Sequence, residues 1–179
     1  MALIKLNATR GLENALPAVS GANLTGVSAG KVLQVKQTVK TDTFSTSSTS
    51  FVDVTGLNVS ITPSSSSNKI FVIVDLQVGT DSDSQCMFNL LRDSTSINKG
   101  DASSGRTQCF NEQGSGEDYH QQSASTHFLD SPSTTSATNY KVQMRVTGST
   151  HMLNQSQADA NASSEARTTS SITVMEIQA

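Results

Sequence analysis

Apolar and polar positions alternate along most of residues 31–78, and runs of Ser and Thr separate the alternating segments. Residues 57–62 place Leu, Val and Ile on one side and Asn, Ser and Thr on the other. Residues 70–78 repeat the pattern after a polar break at residues 63–68. Because successive side chains of a strand point to opposite faces, this spacing predicts a half-buried antiparallel sheet.

Two segments predict the strands most clearly. Residues 70–78 are the most apolar, and Phe71 and Ile73 make both faces partly apolar, which predicts a central strand covered on both sides. Residues 140–147 show the cleanest alternation, and four side chains are predicted to point inward: Tyr140, Val142, Met144 and Val146.

Further strands are predicted on both sides of these two. The first segments are residues 31–39, with Leu33, Val35 and Val39 on one side, and residues 51–55 and 57–62, between which Gly56 indicates a bulge or a bend. The others are residues 85–92 in a hairpin with 97–99, residues 126–129, residues 151–154 paired with 140–147, and residues 167–177. About eight to ten strands with no helix signal predict an all-β fold, an antiparallel two-sheet β-sandwich. A jelly roll is the leading expectation, although the alternation alone does not distinguish it from other Greek keys.

Residues 1–30 differ from the rest of the chain. They are rich in Ala, Gly and Asn, and the spacing of their apolar residues fits neither a long helix nor a strand. Such a segment is either a flexible tail or a segment that becomes ordered against a partner or a sister chain. The second reading makes five apolar residues candidates for particle attachment or inter-chain contact: Leu12, Leu16, Val19, Leu24 and Val27.

Residues 100–122 form the longest region without a persistent pattern. Long loops inside compact domains are often functional, although a pair of short strands near residues 107–110 is an equally good reading. Aromatic and amide side chains suit sugar rings through stacking and hydrogen bonding. The candidate ligand-facing residues are Phe110, Glu112, Glu117, Asp118, Tyr119 and His120.

Composition limits the core and the partners. Hydrophobic residues make up 35% of the 179 residues and Trp is absent, so the core is sparse and subunit contact is expected to add burial. The net charge of −3 and the lack of Lys/Arg clusters argue against nucleic-acid binding. No signal peptide and no apolar run of membrane-spanning length is recognisable, which predicts a protein made in the cytoplasm without membrane insertion.

The sequence offers little chemistry. Cys86 and Cys109 are expected to be free thiols, and the spacing of His120, His127 and His151 does not fit a zinc site. Asp81 and Asp83 lack the glycine and distal glutamate of a calcium loop, and no nucleophile motif or phosphate-binding loop occurs. We therefore expect no enzymatic activity, no metal and no cofactor.

Four segments resemble virion proteins of tailed bacteriophages, in particular fibre-like or decoration proteins of marine phages. These segments are LPAVSGANLTG (residues 16–26), residues 32–72, NLLRDST (residues 89–95) and FLDSPSTTSATNYKVQM (residues 128–144). The first is similar to repeats of tail-fibre shafts, in which three chains wind together. The order of the others is similar to the jelly-roll knobs of such fibres.

The resemblance implies a non-enzymatic homotrimer located on the virion and assembled in the host cytoplasm. Residues 1–30 would attach it to capsid or tail proteins, and residues 31–179 would form a jelly-roll knob. Because only one shaft-like segment is present, a short fibre or decoration knob is the leading expectation. The alternative is a tail-fibre receptor-binding protein that recognises a host surface glycan.

Overall fold

The computed structural model of the chain describes residues 30–79, 84–114 and 120–179. These residues form eleven strands and no helix. The strands are β1 (Val32–Lys40), β2 (Phe44–Thr46), β3 (Val52–Ile61), β4 (Lys69–Gly79), β5 (Gln85–Arg92), β6 (Thr95–Ile97), β7 (Asn111–Gly114), β8 (Gln121–Asp130), β9 (Thr138–Val146), β10 (His151–Leu153) and β11 (Ser170–Ile177). The prediction of an all-β antiparallel sandwich is confirmed.

The strands form two antiparallel sheets. Sheet 1 contains β1, β11, β4 and β8 in that order. Beyond the first residue of β11, the short strand β10 takes the position of β11 beside β4, and β2 takes the position of β1 beside β10. Sheet 2 contains β3, β9 and β5, followed by β6 and β7, which pair with successive parts of the same edge of β5. Each sheet therefore has four strand positions.

The connections between the sheets define the topology. The chain crosses from β1 to β3, back to β4, across to β5, β6 and β7, back to β8, across to β9, and finally back to β10 and β11. This strand order is that of a jelly roll, in which two Greek keys wrap into a double sheet. The structure therefore resolves a choice that the alternation of apolar residues had left open.

The core fills the space between the inner faces of the sheets. Tyr140, Val142, Met144 and Val146 are fully buried, as predicted from their alternation. Opposite them lie the inward side chains of β4, which are also fully buried: Ile70, Val72, Val74, Leu76 and Val78. The apolar contacts between these two sets are the main contribution to holding the sheets together.

The bulge predicted at Gly56 is present within a single strand, β3. The pairing of β3 with β9 shifts register between Asp53 and Asn58. Gly56 adopts a φ of 80°, which is accessible to glycine without a steric penalty. The extra residues bend the strand and let Val54 and Leu57 both point into the core.

One predicted pairing is wrong, and two other expectations differ from the structure in detail. β10 pairs with β4 and β2 and not with β9, because the connection after β9 crosses to the other sheet. A short strand follows residues 107–110 and does not coincide with them, since β7 begins at Asn111. Residues 70–78 are central as predicted, but the described part of the chain leaves the outer face of β4 only partly covered, at Phe71 and Ile73.

Candidate functional site

The structure separates the residues of the predicted ligand-facing loop. Phe110 packs against the core, with its ring centroid 6.2 Å from that of Phe88, and its amide nitrogen donates to the Phe88 carbonyl oxygen. Glu112 is exposed on β7, and His120 is exposed immediately before β8. Phe110 therefore supports the packing of β7 on the core, and only Glu112 and His120 face solvent among the described candidates.

Eight of the predicted site residues lie outside the described part of the chain. They are Glu117, Asp118 and Tyr119 of the loop, and Leu12, Leu16, Val19, Leu24 and Val27 of the N-terminal segment. The structure does define where the N-terminal segment joins the sandwich. The Gln178 amide nitrogen donates to the Lys31 carbonyl oxygen at 2.9 Å, so both termini leave sheet 1 at the same end.

Three observations on the described residues bear on candidate chemistry. No group of three or more His, Cys, Asp or Glu residues in the described ranges is placed to hold a metal ion. Burial raises the pKa of Cys86 to about 12 and also raises the pKa of Cys109, so neither thiol forms a reactive thiolate readily. Ser84 Oγ lies 2.7 Å from His151 Nε2, and both residues are buried.

A buried polar cluster joins the sheets near the end of β8. Asp130 accepts a hydrogen bond from the Tyr140 hydroxyl at 2.6 Å and two from Arg92 Nη1 at 2.8 and 2.9 Å. Burial and the Asp130 carboxylate raise the pKa of Tyr140, which keeps the phenol protonated as the donor. The cluster connects sheet 1, which carries Asp130, to β9 and β5 of sheet 2, and its role is structural.

A second buried carboxylate, that of Glu176, organises the end of sheet 1 where the termini meet. It accepts hydrogen bonds from Gln34 Nε2 at 2.6 Å, from Asn68 Nδ2 at 2.6 Å, and from the Ser64 amide and hydroxyl at 2.7 Å each. Burial by itself raises the pKa of Glu176, but these donors outweigh burial and lower the pKa to about 2. The carboxylate thus holds β1 and the β3–β4 turn against β11.

The outer face of sheet 1 carries an apolar row that crosses the whole sheet. Val35 pairs in register with Met175, Met175 with Phe71, and Phe71 with Leu129. We call these four residues the apolar row. Val35 is 55% and Leu129 53% exposed, whereas Phe71 and Met175 are half-buried. Because in-register neighbours point to the same face, the four side chains form one continuous strip.

Further apolar side chains surround the apolar row. On β1, Val32, Leu33 and Val39 are between 44% and 55% exposed. Ile73 on β4 and Ile177 on β11 lie in the adjacent rows and are half-buried. The exposed large apolar residues of the described ranges therefore all lie on sheet 1, and most lie on β1.

The inward side chains of β1 explain why this strand turns its apolar residues outward. Gln34 donates to Glu176, and Lys40 is 2% exposed with its Nζ 2.8 Å from Asp42 Oδ2. These polar residues point toward the interior at the margin of the sandwich, where hydrogen-bond partners are available. Alternation then forces Val35 and Val39 onto the outer face.

The outer face of sheet 2 is polar and internally paired. Asn58 pairs in register with Lys141, Lys141 with Leu91, and Leu91 with Ser96, and we call these four residues the polar row. Lys141 Nζ and Gln143 Nε2 each lie 2.7 Å from an oxygen of Asp53, and Ser96 donates to Asn89 at 2.5 Å. Leu91 is 6% exposed beneath its neighbours, so this face presents polar groups to water.

Comparisons with known proteins assign the chain to no family. No protein-family model matches the chain, and no curated protein matches its sequence. None of the described residues lies in a helix that is long and apolar enough to cross a membrane. The structure defines the chain as a jelly-roll β-sandwich in which an apolar row crosses the outer face of sheet 1 and a polar row crosses that of sheet 2.

Sequence reasoning singled out loops and missed this face as a site. The signal was present in the sequence, since residues 31–39 were predicted to carry Leu33, Val35 and Val39 on one side and residues 70–78 to be apolar on both sides. The sequence did not reveal the register that aligns β1, β11, β4 and β8. That register is determined by the pairing of segments that are distant in sequence.

Proposed function

We propose that this chain is a non-enzymatic structural protein of a tailed-bacteriophage particle. Residues 31–179 form a short knob, three copies assemble as a homotrimer, and residues 1–30 attach the knob to the particle. The resemblance of the four sequence segments supports the phage context. The observation that carries the assembly role is the apolar row on the outer face of sheet 1, with Val35 and Leu129 more than half exposed.

Exposed apolar area of this kind favours association. Fully burying a Val or Leu side chain contributes roughly 1.5–3 kcal/mol, so each half-exposed side chain contributes about 1 kcal/mol when covered. Five large apolar residues exceed 40% exposure on this one sheet, although the chain is poor in hydrophobic residues overall. Contiguous apolar surface on a soluble protein is typical of an interaction site.

The role we propose for the sandwich is mechanical. In that role the sandwich is a rigid body, sister chains cover its apolar face, and the polar face of sheet 2 remains in water. Attachment through residues 1–30 is consistent with the position of Lys31, which lies at one end of sheet 1 next to the C-terminal residues.

Native mass spectrometry of the full chain tests the assembly. We expect a species of three times the chain mass at micromolar concentration, and a stable monomer would contradict the proposal. A chain lacking residues 1–30 should remain folded but should no longer bind to particles. If the shortened chain still decorates particles, the attachment role of residues 1–30 is wrong.

Labelling of virions with an antibody to the chain separates the two structural roles. A decoration knob is expected in many copies, and its loss should weaken the particle. A receptor-binding fibre, the alternative function, is expected in few copies at the tail, and its loss should abolish adsorption. If the antibody labels no part of the virion, both structural roles are wrong.

A further inference from the structure

The segment that connects β10 to β11 folds around a cavity of about 390 Å³. Four polar side chains of this segment line the cavity: Asp159, Asn161, Glu165 and Arg167. Small-molecule sites in proteins have volumes of roughly 300–1,000 Å³, and this cavity lies near the lower end of that range. Its size therefore suits a ligand of one or two rings.

A buried serine holds the two carboxylate residues of the cavity in place. The hydroxyl of Ser156 donates to the Glu165 carboxylate and accepts from the Asp159 amide nitrogen at 3.2 Å. Arg167 Nη2 lies 2.6 Å from Asp159 Oδ1, and Arg167 Nη1 donates to the side chain of Gln155. Because these contacts exist without a ligand, binding requires little further ordering of the lining.

The beginning of β8 anchors the same segment. Gln121 Nε2 donates to the Ala166 carbonyl oxygen at 2.8 Å, and Gln121 Oε1 accepts from the Thr168 hydroxyl at 2.5 Å. His120, an exposed member of the predicted ligand-facing residues, directly precedes Gln121. The described end of the predicted ligand-facing loop is therefore attached to the wall of the cavity.

The lining combines acceptors, donors and small apolar groups. The carboxylates of Asp159 and Glu165 accept hydrogen bonds, whereas the guanidinium of Arg167 donates them. The amide of Asn161 does both. Three alanines complete the lining and offer methyl groups for apolar contact: Ala160, Ala162 and Ala166.

This combination narrows the class of ligand. An anion would meet two carboxylates, and a simple cation would meet the guanidinium of Arg167, which already pairs with Asp159. Hydroxyl groups both donate and accept hydrogen bonds, so a ligand with several neighbouring hydroxyls matches the donors and the acceptors together. The C–H groups of such a ligand can contact the alanine methyl groups. A saccharide has all of these features.

We propose that the cavity between β10 and β11 binds one or two sugar rings of a saccharide. Asp159 and Glu165 accept hydrogen bonds from its hydroxyl groups, and Asn161 and Arg167 donate to its oxygen atoms. The inference goes beyond the structural role proposed above and supplies a binding site for the alternative function, glycan recognition. The lining residues all belong to one chain, so sugar binding does not require the homotrimer.

Saturation-transfer difference NMR of the full chain tests the ligand class. The probes are the methyl glycosides of glucose, galactose, mannose, glucosamine and N-acetylglucosamine, each at millimolar concentration. We expect saturable binding of at least one probe, and the inference is wrong if none of them binds. Stronger binding of a methyl glycoside than of its free sugar would support a site for a unit of a larger glycan. The reverse order would support a site for a free sugar.

Two pairs of matched variants test the location. Ala162→Trp fills the cavity, and Ala137→Trp places the same side chain at an exposed position outside the lining. Asn161→Ala removes one polar group of the lining, and Asn58→Ala removes an exposed amide from sheet 2. We expect Ala162→Trp to abolish binding and Asn161→Ala to weaken it about tenfold, the effect of losing one hydrogen bond to the ligand. Both controls should bind like the wild type.

Circular dichroism of each variant checks that the fold is intact. Unchanged sugar binding by a folded Ala162→Trp protein would overturn the location. If that variant does not fold, unchanged binding by Asn161→Ala overturns it instead, because Asn161 is exposed and its truncation leaves the sandwich intact. An equal loss of binding in the control variants would overturn it as well.

Native mass spectrometry separates this inference from the proposed assembly. A trimer that binds none of the probes would overturn the saccharide site and leave the homotrimer standing. A monomer that binds a probe through the cavity would support the site and show that the homotrimer is wrong.

Discussion

The two outer faces of this sandwich have the same construction and opposite surfaces. Each consists of four strand positions, and in each a row of four residues crosses the sheet in register. The row on sheet 2 presents Lys141, which pairs with Asp53, and covers its one leucine. The row on sheet 1 presents Val35 and Leu129 to solvent. Side-chain choice at a few positions therefore gives the two faces different surfaces.

This difference shows that exposure is informative only when compared within one molecule. A single exposed valine on a protein surface needs no explanation. An apolar strip across four strands needs an explanation when the equivalent strip on the other sheet is polar and hydrogen-bonded. Both sheets are antiparallel and belong to the same sandwich, so the difference between their outer faces comes from their side chains.

The comparison of the two faces assumes that the two sheets are held together as one body. We therefore expect the largest loss of stability from a substitution in the polar cluster that joins the sheets. Asp130→Ala removes the acceptor of both Tyr140 and Arg92, and loss of one partner of a buried charged cluster costs about 3 kcal/mol. Urea denaturation should show this loss in the free energy of unfolding. Tyr140→Phe, which leaves the ion pair intact, should cost about 1 kcal/mol; an equal loss from both variants would contradict this assignment.

Acid should loosen sheet 1 before sheet 2. The pKa of Glu176 is lowered from its ordinary value of 4.5 to about 2, so its hydrogen bonds stabilise the fold above pH 4.5 and this contribution disappears as the pH falls toward 2. Hydrogen exchange at low pH should increase first in β1 and β11.

The matched variants for this prediction are Glu176→Gln and Glu112→Gln. The first should lower the free energy of unfolding at neutral pH by roughly 2 kcal/mol and flatten its pH dependence between pH 4.5 and 2. The second changes an exposed glutamate on β7 and should do neither. An unchanged acid profile of Glu176→Gln would show that other carboxylates dominate acid unfolding.

The smallest effect is expected on the polar face of sheet 2. Asp53 is half-exposed and its pKa is lowered by the hydrogen bond from Lys141 and then by that from Gln143. Exposed ion pairs contribute about 0.2–1 kcal/mol, so Asp53→Ala should change the free energy of unfolding by less than about 1 kcal/mol and should leave assembly intact. The change should shrink in high salt. If Asp53→Ala disrupts the trimer, a subunit contact lies on the outer face of sheet 2, which contradicts the assignment of the contact to sheet 1.

The strands with strong local patterns were predictable, and the pairing of distant strands was not. Tyr140 to Val146 alternate so cleanly that their inward direction followed from the sequence. His151 to Leu153 were paired with the wrong strand, because nothing local records that the chain crosses between sheets after β9. The choice of jelly roll needed the same long-range information.

Polar residues were the least predictable part of the site. Glu176 and Asp130 occupy positions in strand patterns where a buried carboxylate is costly without partners. Their partners, including Asn68 and Arg92, are distant in sequence and are brought close only by folding. The exposed direction of Val35 follows from the same contacts, because Gln34 turns inward to reach Glu176.

Sedimentation equilibrium of two charge variants tests most directly whether copies meet through sheet 1. Val35→Glu and Asn58→Glu introduce the same charge at the outer row of an edge strand, the first on β1 and the second on β3. We predict that the wild type and Asn58→Glu sediment as trimers at micromolar concentration, whereas Val35→Glu sediments as a folded monomer. A trimeric Val35→Glu protein, or a monomeric Asn58→Glu protein, would contradict the assignment of the outer face of sheet 1 as the contact surface.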